Sequence, residues 1–308
     1  MLKFSRVKRY QKKEVAFMCN KKNFFLAFDV GGTTIKYAII NHALEIVEHA
    51  SIATKQNENG HILKSIETIS QNYREKYPLA AIGISTAGIV NSQDGSIKYA
   101  NYLIPNYIGT PLKERLEEVM KIPVFVVNDV QAALLGEILQ AKLPDKTFCL
   151  TLGTGIGGAY FQNQQVYHGA HDYENYIGAL NYDPVSQTTW EQRASTIALE
   201  QRLAQSHQIS VPEAFQKART GDKEIYLILS EWIEEIAKGI ANIILLLDPA
   251  VILVGGGVSR QNDFLLPILA EKLKLYLPES FLKAELKTPT SCNENALLGA
   301  LYPFLINN

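Results

Sequence analysis

Apolar and polar positions along the chain fall into two similar series. Phe25-Leu-Ala-Phe-Asp-Val-Gly-Gly-Thr-Thr-Ile-Lys-Tyr-Ala-Ile39 is an apolar run, a small-residue turn and a second apolar run, and Cys149-Leu-Thr-Leu-Gly-Thr-Gly-Ile-Gly-Gly-Ala-Tyr-Phe161 repeats that pattern. Each predicts a strand, a tight glycine turn and a returning strand. Between them, Ile62, Ile66, Ile69 and Tyr73 recur at helical spacing, which predicts an amphipathic helix over 61–76. Ala80–Ile84 reads as a strand that ends in the small-residue turn Ser85-Thr-Ala-Gly88, and Pro111–Val119 as a helix with proline at its start. Pro123–Val127 is a continuous apolar run typical of a strand buried on both faces, and it delivers Asn128 and Asp129 to its carboxyl end. The second half repeats this logic. After the strand at 147–152 and its hairpin comes an irregular polar stretch from His168 to Thr189, then helices near 190–204, 211–219 and 223–247. A buried strand at 250–254 closes in Gly255-Gly-Gly257, followed by a helix from about Asp263, a strand near 284–286 and a last helix over 293–304.

Strands and helices alternate on both sides of position 129, which predicts two α/β lobes with the cleft between them as the default site. The expected division is a lobe of residues 24–128 completed by the C-terminal helix at 293–305, and a second lobe of residues 129–292. With 308 residues, 47% of them hydrophobic, the chain has enough apolar surface for two cores. A net charge of -1 gives no reason to expect nucleic acid or an anionic membrane as partner. Three widely spaced cysteines, Cys19, Cys149 and Cys292, suit a reducing cytoplasm better than a disulfide framework. The longest apolar stretches, such as Ile240–Leu247, are too short to span a bilayer. Residues 1–23 form a basic extension without the apolar core of a secretory signal, and they are too short for a DNA-binding helical domain. Translation starting at Met18 and a flexible basic tail are the two readings of this segment.

Glycine at a turn lets backbone N–H groups approach an anion without a Cβ in the way, so two such turns suggest a polyphosphate ligand. Gly153-Thr-Gly-Ile-Gly-Gly158 satisfies G-x-G-x-x-G, but a dinucleotide fingerprint runs from a strand into a helix, whereas here Ala159-Tyr-Phe161 continues as strand. No Walker-type motif occurs. Two ordinary hairpins of a mixed sheet are the alternative, and the similarity of the turns and the Asp and Thr residues set in them weigh against it. Asp129, taken alone, is either a catalytic carboxylate at a strand end or the N-cap of a helix that continues through Ala132–Leu135.

Standing in this order, Asp29-Val-Gly-Gly-Thr-Thr34, Val127-Asn-Asp129, Leu152-Gly-Thr-Gly-Ile-Gly-Gly158 and Leu253-Val-Gly-Gly-Gly257 resemble the ROK family of bacterial sugar kinases and related repressors over roughly residues 24–305. The resemblance implies two actin-like, ribonuclease-H-like α/β lobes with ATP and sugar in the cleft, Mg²⁺ as the metal, and a cytoplasmic homodimer. It implies that Asp129 is the base and that Asn128 holds a sugar hydroxyl beside it. Gly31, Gly32, Thr33, Thr34, Gly153, Thr154 and Gly155 would embrace the phosphates, Asp29 would hold hydrated Mg²⁺, and Gly255 with Gly256 would let adenine lie against the backbone. Gly88, Asn101, Glu174, Tyr176 and Glu191 complete the expected sugar side. Lys36 would meet either a phosphate or solvent.

Two departures from the family pattern stand out. Where the family has a run like Gly-Glu-Ile-Gly-His, this chain has Asn175-Tyr-Ile-Gly-Ala179, and no cysteine lies between 150 and 291. The four-ligand set that zinc normally requires is therefore missing from this stretch, no structural zinc is expected, and His168 and His171 read as surface or sugar-loop residues. The implied activity is ATP-dependent phosphorylation of a sugar primary hydroxyl at the 6-position, with glucose, N-acetylmannosamine and β-glucosides among the family's substrates. The alternative is a sugar-binding sensor without turnover. Because residues 1–17 lack an apolar pattern able to dock on a core, their removal is expected to leave activity and melting temperature unchanged. A loss of either, measured on the truncated chain, would show that the segment is folded into the protein.

Overall fold

The computed structural model describes residues 24–290 and 294–306, so the basic extension, Cys19 and Cys292 lie outside the described residues. In chain order the elements are β1 (Phe24–Val30), β2 (Thr34–Asn41), β3 (Ile46–Ala53), α1 (His61–Lys76), β4 (Leu79–Thr86), β5 (Ile89–Val90), β6 (Ile97–Tyr99), α2 (Leu112–Met120), β7 (Val124–Asn128) and α3 (Asp129–Ala141). There follow β8 (Thr147–Leu152), β9 (Ile156–Gln162), β10 (Gln165–Val166), α4 (Trp190–Ala194), α5 (Thr196–Ser206), α6 (Val211–Arg219), α7 (Lys223–Leu247), β11 (Val251–Gly256), α8 (Asn262–Leu273), β12 (Glu285–Lys287), α9 (Asn295–Gly299) and α10 (Tyr302–Leu305). The described residues form two compact units, one of 24–141, 168–173 and 294–306, the other of 142–167 and 174–290.

The first unit is built on a five-stranded sheet in the order β3-β2-β1-β4-β7. β1, β2 and β3 are antiparallel neighbours, while β1, β4 and β7 run parallel. β1 is apolar except for Asp29 because both of its faces are covered. Leu26, Phe28 and Val30 pack with Ile62 and Ile66 of α1 and Leu112, Leu116 and Met120 of α2. Phe25 and Ala27 pack on the opposite face against Leu297 and Leu298 of α9, Leu301 between the two helices, and Phe304 of α10. β3 has no counterpart in the apolar pattern, since among the described residues it is an edge strand paired only with β2, and it carries Glu48 and His49. Charged side chains are a common way to blunt such an edge.

The second unit has the strand order β10-β9-β8-β11-β12. Its directions repeat those of the first unit, with β8 antiparallel to β9, β9 antiparallel to β10, and β8, β11 and β12 parallel. The resemblance between the two glycine hairpins thus extends to a whole ribonuclease-H-like sheet. The core of this unit gathers Phe148, Leu150 and Leu152 with Trp190, Trp232, Ile236 and Ile240. Cys149 is buried. The single helix expected near 190–204 is two helices, because Ser195 is extended (φ -68°, ψ 164°) and its side chain accepts the Ala198 N–H to start α5. The last helix is likewise divided into α9 and α10. Among the described residues no helix is long and apolar enough to cross a membrane.

The expected start of the second lobe at residue 129 differs from the observed division, in which α3 belongs to the first unit. The reason is a close crossing of α3 with α9. Asn295 donates to Glu137 Oε2 at 2.5 Å and accepts from Gln140 Nε2 at 2.8 Å, and both Glu137 and Asn295 are buried. A Cβ on Gly299 would overlap the carbonyl of Ala132, so the two backbones approach as only glycine allows. Gly299→Ala is therefore expected to destabilise the protein by about 2–3 kcal/mol, the upper part of the range for overpacking a close-packed core. An unchanged midpoint in urea denaturation would show that the crossing relaxes freely.

Candidate active site

In the first unit the pairing registers bring three segments to one edge of the sheet. Val30 lies opposite Thr86, and Thr86 opposite Asn128, so the turn 31–33, the turn 87–88 and the pair Asn128-Asp129 all emerge at the carboxyl ends of β1, β4 and β7. Open α/β sheets bind ligands at that edge. Asp29, on β1, accepts a hydrogen bond from Ser85 Oγ at 2.9 Å and lies 3.9 Å from Lys36 Nζ. Lys36 is half exposed. The first glycine turn closes through Gly31 N–H donating to Thr34 O at 2.9 Å.

The strand-to-helix junction settles which of two adjacent residues caps α3. Asn128 Oδ1 accepts the N–H of Val130 at 2.9 Å, and its Nδ2 donates to Gly88 O and to Asp129 Oδ1, each at 2.8 Å. Asn128 is thus the cap, and it ties the 87–88 turn to the carboxylate that follows it. Asp129 is only partly buried, and the hydrogen bonds that its side chain accepts from Asn128 and Val130 both go to Oδ1. Burial, with the negative charge of Asp29 adding to it, pushes Asp129 up from the ordinary carboxylate value to about 6, against the pull of the Val130 and Asn128 donors. A carboxylate tuned toward neutral pH suits a general base. Asn101 is exposed and shapes its own loop, with Oδ1 accepting from Leu103 N–H at 3.1 Å. Leu103 in turn lies against Gly32.

In the second unit the same edge carries the second turn. Thr151 pairs with Gly255 and Leu152 with Gly256, so the turn 153–155 and the glycines that end β11 lie side by side. Gly153 N–H donates to Gly155 O at 3.0 Å, and Thr154 is exposed. Gly256 has φ 96°, and a Cβ there would overlap the carbonyl of Leu152, so both conformation and space require glycine. A Cβ on Gly257 would meet nothing within 4 Å. Glu191 is half-buried, with Oε2 accepting from Ile156 N–H at 3.3 Å and seated against Gly155 and Gly178. Glu191 therefore faces the second turn. The altered run 175–179 lines β9, where Gly158 N–H donates to Asn175 O at 3.2 Å and Ile177 packs on Gly158. Glu174 is half-buried and Tyr176 is 48% exposed.

Three residues at or beside these edges had no signal in the sequence. Ser85 orients Asp29, as described. Arg193 binds Asn181 O at 2.6 Å, Thr188 O at 2.7 Å and Glu235 Oε2 at 2.9 Å, which fastens the loop before α4 to α7. Lys98 binds Asp172 Oδ2 at 2.8 Å and His171 O at 3.0 Å within the first unit. Burial would raise Asp172, but the hydrogen bonds from Lys98 and Ser92 outweigh it and hold the carboxyl below its usual value. Each of these acts through partners distant in sequence, which periodicity and spacing do not register.

Two units of ribonuclease-H-like strand order, each with a glycine turn at the carboxyl edge of its parallel strands, define an actin-like fold. The chain belongs to the ROK family, whose model matches residues 25–305. It is similar to a β-glucoside kinase of Listeria monocytogenes, 28% identical over 291 residues that cover 91% of this chain and 96% of that protein. Among solved structures, a ROK family protein from Streptococcus pneumoniae in complex with sucrose shares 25% identity, with 92% of this chain and 98% of that one covered and a TM-score of 0.81. A ROK glucokinase from Streptomyces griseus in complex with glucose and AMPPNP shares 26% identity over 90% of this chain and 97% of that one, with a TM-score of 0.74.

The raised value of Asp129 has a consequence for stability. Its folded-state value of about 6 lies above the unfolded value of about 3.9, so the stability contributed by the protonated form is complete below pH 4 and lost as pH rises through 6. Asp129→Asn is therefore expected to melt at a higher temperature than the wild type at pH 7.5, by roughly a few degrees. The gain should shrink toward zero as pH falls to 4. A variant that melts at or below the wild-type temperature at pH 7.5 would show that ionised Asp129 is not under strain.

Proposed function

We propose that this protein is an ATP-dependent sugar kinase that phosphorylates a primary hydroxyl, with Asp129 as the proton acceptor. The observation that carries this reading is the position of Asp129, oriented by Asn128 and raised toward neutrality at the carboxyl edge of the first sheet. The similarity to a β-glucoside kinase and to a glucokinase solved with glucose and AMPPNP supports the same class. The sugar oxygen attacks the γ-phosphorus of ATP as its proton passes to Asp129, the new O–P bond forms, the bond to the β-γ bridging oxygen breaks, and ADP leaves. Such a reaction depends mainly on positioning and on spreading negative charge. Gly32, Thr33, Thr34, Thr154 and Gly155 take the phosphates through backbone N–H groups and hydroxyls, Gly31 and Gly153, whose own N–H groups close the two turns, keep the approach clear of a Cβ, and Gly255 and Gly256 leave room for the adenine.

The carboxylates of Asp29 and Asp129 are close enough for one to raise the other, and oxygen donors of this kind suit a hard divalent cation. Mg²⁺ held by Asp29 through water would supply charge neutralisation to the phosphates. On the sugar side we assign Gly88, Asn101, Asn128 and Glu191, together with Glu174 and Tyr176 from the altered loop. The sensor reading gains no comparable support, since two of the relatives described above are kinases and the Asp129 carboxylate offers the proton acceptor that turnover would need.

The substrate follows from the same loop. With Tyr176 and Ala179 in place of the family's glutamate and histidine, the site loses a charged acceptor for hydroxyls near the anomeric carbon and gains an aromatic face for a second ring. A β-glucoside or disaccharide is therefore expected to have a higher kcat/KM than free glucose in an ATP-consumption assay over a sugar panel. Asp129→Asn should lower kcat on the preferred sugar by about 100-fold or more. Turnover of no sugar in the panel would favour the sensor. Strong glucose activity that disappears in Glu174→Ala would overturn the blocked-sugar assignment.

A further inference from the structure

The chain between β3 and α1 is the most strained segment of the first unit. Lys55, Gln56, Asn57 and Asn59 have φ between 49° and 54°, and Gly60 follows at 70°. Left-handed backbone is sparsely populated by residues with a Cβ, and it persists where the surroundings over-determine it. Here the surroundings are two buried polar side chains, Thr54 and Asn57, each 1% exposed.

Their partners are the segments assigned to ligands. Thr54 donates from Oγ1 to Gly32 O at 2.8 Å and from its backbone N–H to Thr33 O at 3.0 Å. In a trans peptide the carbonyl of one residue and the N–H of the next point in opposite directions. Holding the carbonyls of Gly32 and Thr33 therefore sets the directions of the N–H groups of Thr33 and Thr34, two of the donors assigned to phosphate. Asn57 donates to Pro105 O at 3.3 Å and Asn106 O at 3.0 Å, in the loop that carries Asn101 and lays Leu103 on Gly32. It also accepts the Ile62 N–H at 3.1 Å, near the start of α1. Asn57 N–H donates to Thr54 O at 2.9 Å, which links the two grips.

The second unit repeats the grip from a different element. Thr196, at the start of α5, donates from Oγ1 to Leu152 O and from its N–H to Gly153 O, each at 3.0 Å. Each glycine turn is thus flanked by a threonine that holds two successive carbonyls with its hydroxyl and its own N–H.

We infer that the strained 54–60 turn is a clamp, in which Thr54 is a positioning residue for the first phosphate turn and Asn57 locks that turn to the sugar-side loop 101–107. This rests on the reading of 31–34 as a phosphate turn. Capping of α1 and closure of the β3 edge require neither the Thr54 hydroxyl nor the two Asn57 donors.

The test uses the full-length protein and measures binding of a non-hydrolysable ATP analogue, KM for the preferred sugar, and melting temperature. Thr54→Val keeps the shape and removes the hydroxyl, and it should weaken analogue binding about ten-fold, the equivalent of one net hydrogen bond. Thr54→Ser should restore binding to within about two-fold of wild type. Asn57→Asp keeps the acceptor for Ile62 and loses both donors, and it should raise the sugar KM as well as weaken the analogue. If the clamp acts as one unit, adding Asn57→Asp to Thr54→Val should weaken the analogue far less than the single effects multiplied together. A Thr54→Val protein that melts earlier yet binds the analogue as wild type does would overturn the clamp, as would fully additive effects. Gly32→Val separates the two readings. If it leaves analogue binding unchanged, the phosphate-turn assignment fails and the clamp falls with it; if it weakens binding while Thr54→Val does not, the clamp alone fails.

Discussion

One side-chain amide organises the chemistry of the first unit. Asn128 must cap α3, because the first N–H groups of a helix have no partner within it. Its Oδ1 does so by accepting from Val130, and that duty fixes the orientation of its Nδ2, which holds Gly88 O and Asp129 Oδ1. A structural requirement of the helix thereby aims the carboxylate. The cost is borne by Asp129, whose partial burial beside Asp29 disfavours its charged form. The helix N-terminus and the donors on Oδ1 offset part of that cost and leave the carboxyl near neutrality, where it can accept a proton and release it again.

The remainder of the first unit serves to hold this edge still. β1 is buried on both faces, by α1 and α2 on one side and by α9 and α10 on the other, so the Asp29 side chain starts from a strand with little freedom. α3 is anchored to α9 by the Glu137–Asn295–Gln140 contacts and by a glycine crossing. The Asn295 contacts lie farther along the helix and the Gly299 crossing at Ala132 lies within its first turn, so together they determine where the start of α3, and with it Asp129, is held. The role proposed for Asp129 would need support of this kind from packed elements, since small displacements of a catalytic group are costly to rate.

How much of this was legible in the sequence depended on how local its cause is. The strands β1, β4, β7, β8 and β11 are short apolar runs bounded by small residues, and α1, α6 and α7 are strongly periodic, so their existence follows from side-chain pattern alone. The repeated turns were visible because glycine is demanded by geometry. β3 was not, because it is an edge strand with no buried residue, and Glu48, His49 and Ser51 interrupt its apolar positions. The break at Ser195 was not, because the apolar spacing continues across it while a single cap divides the helix. The placement of α3 with the first unit depends on Asn295 and Gly299, about 160 residues downstream, and no local rule reaches that far. Among the candidate site residues, Asp129 and the glycines stand out in the sequence by position, whereas Ser85, Lys98, Arg193 and Thr54 act through contacts that only the fold creates.

The two glycine turns are similar in sequence but are held differently, and the difference follows from what lies beside each. In the first unit the neighbour is the end of β3, so the grip falls on Gly32 and Thr33, where the turn enters β2. In the second unit β10 is two residues long and offers no comparable strand end, and the grip falls instead on Leu152 and Gly153, where β8 leaves the sheet, from the N-terminus of α5. A helix N-terminus also brings a partial positive charge, which the end of a strand does not. The extended conformation of Ser195 is what starts a new helix there and places Thr196 in its first turn. The break that hid α5 from the apolar pattern is therefore the feature that supplies the second turn with its threonine.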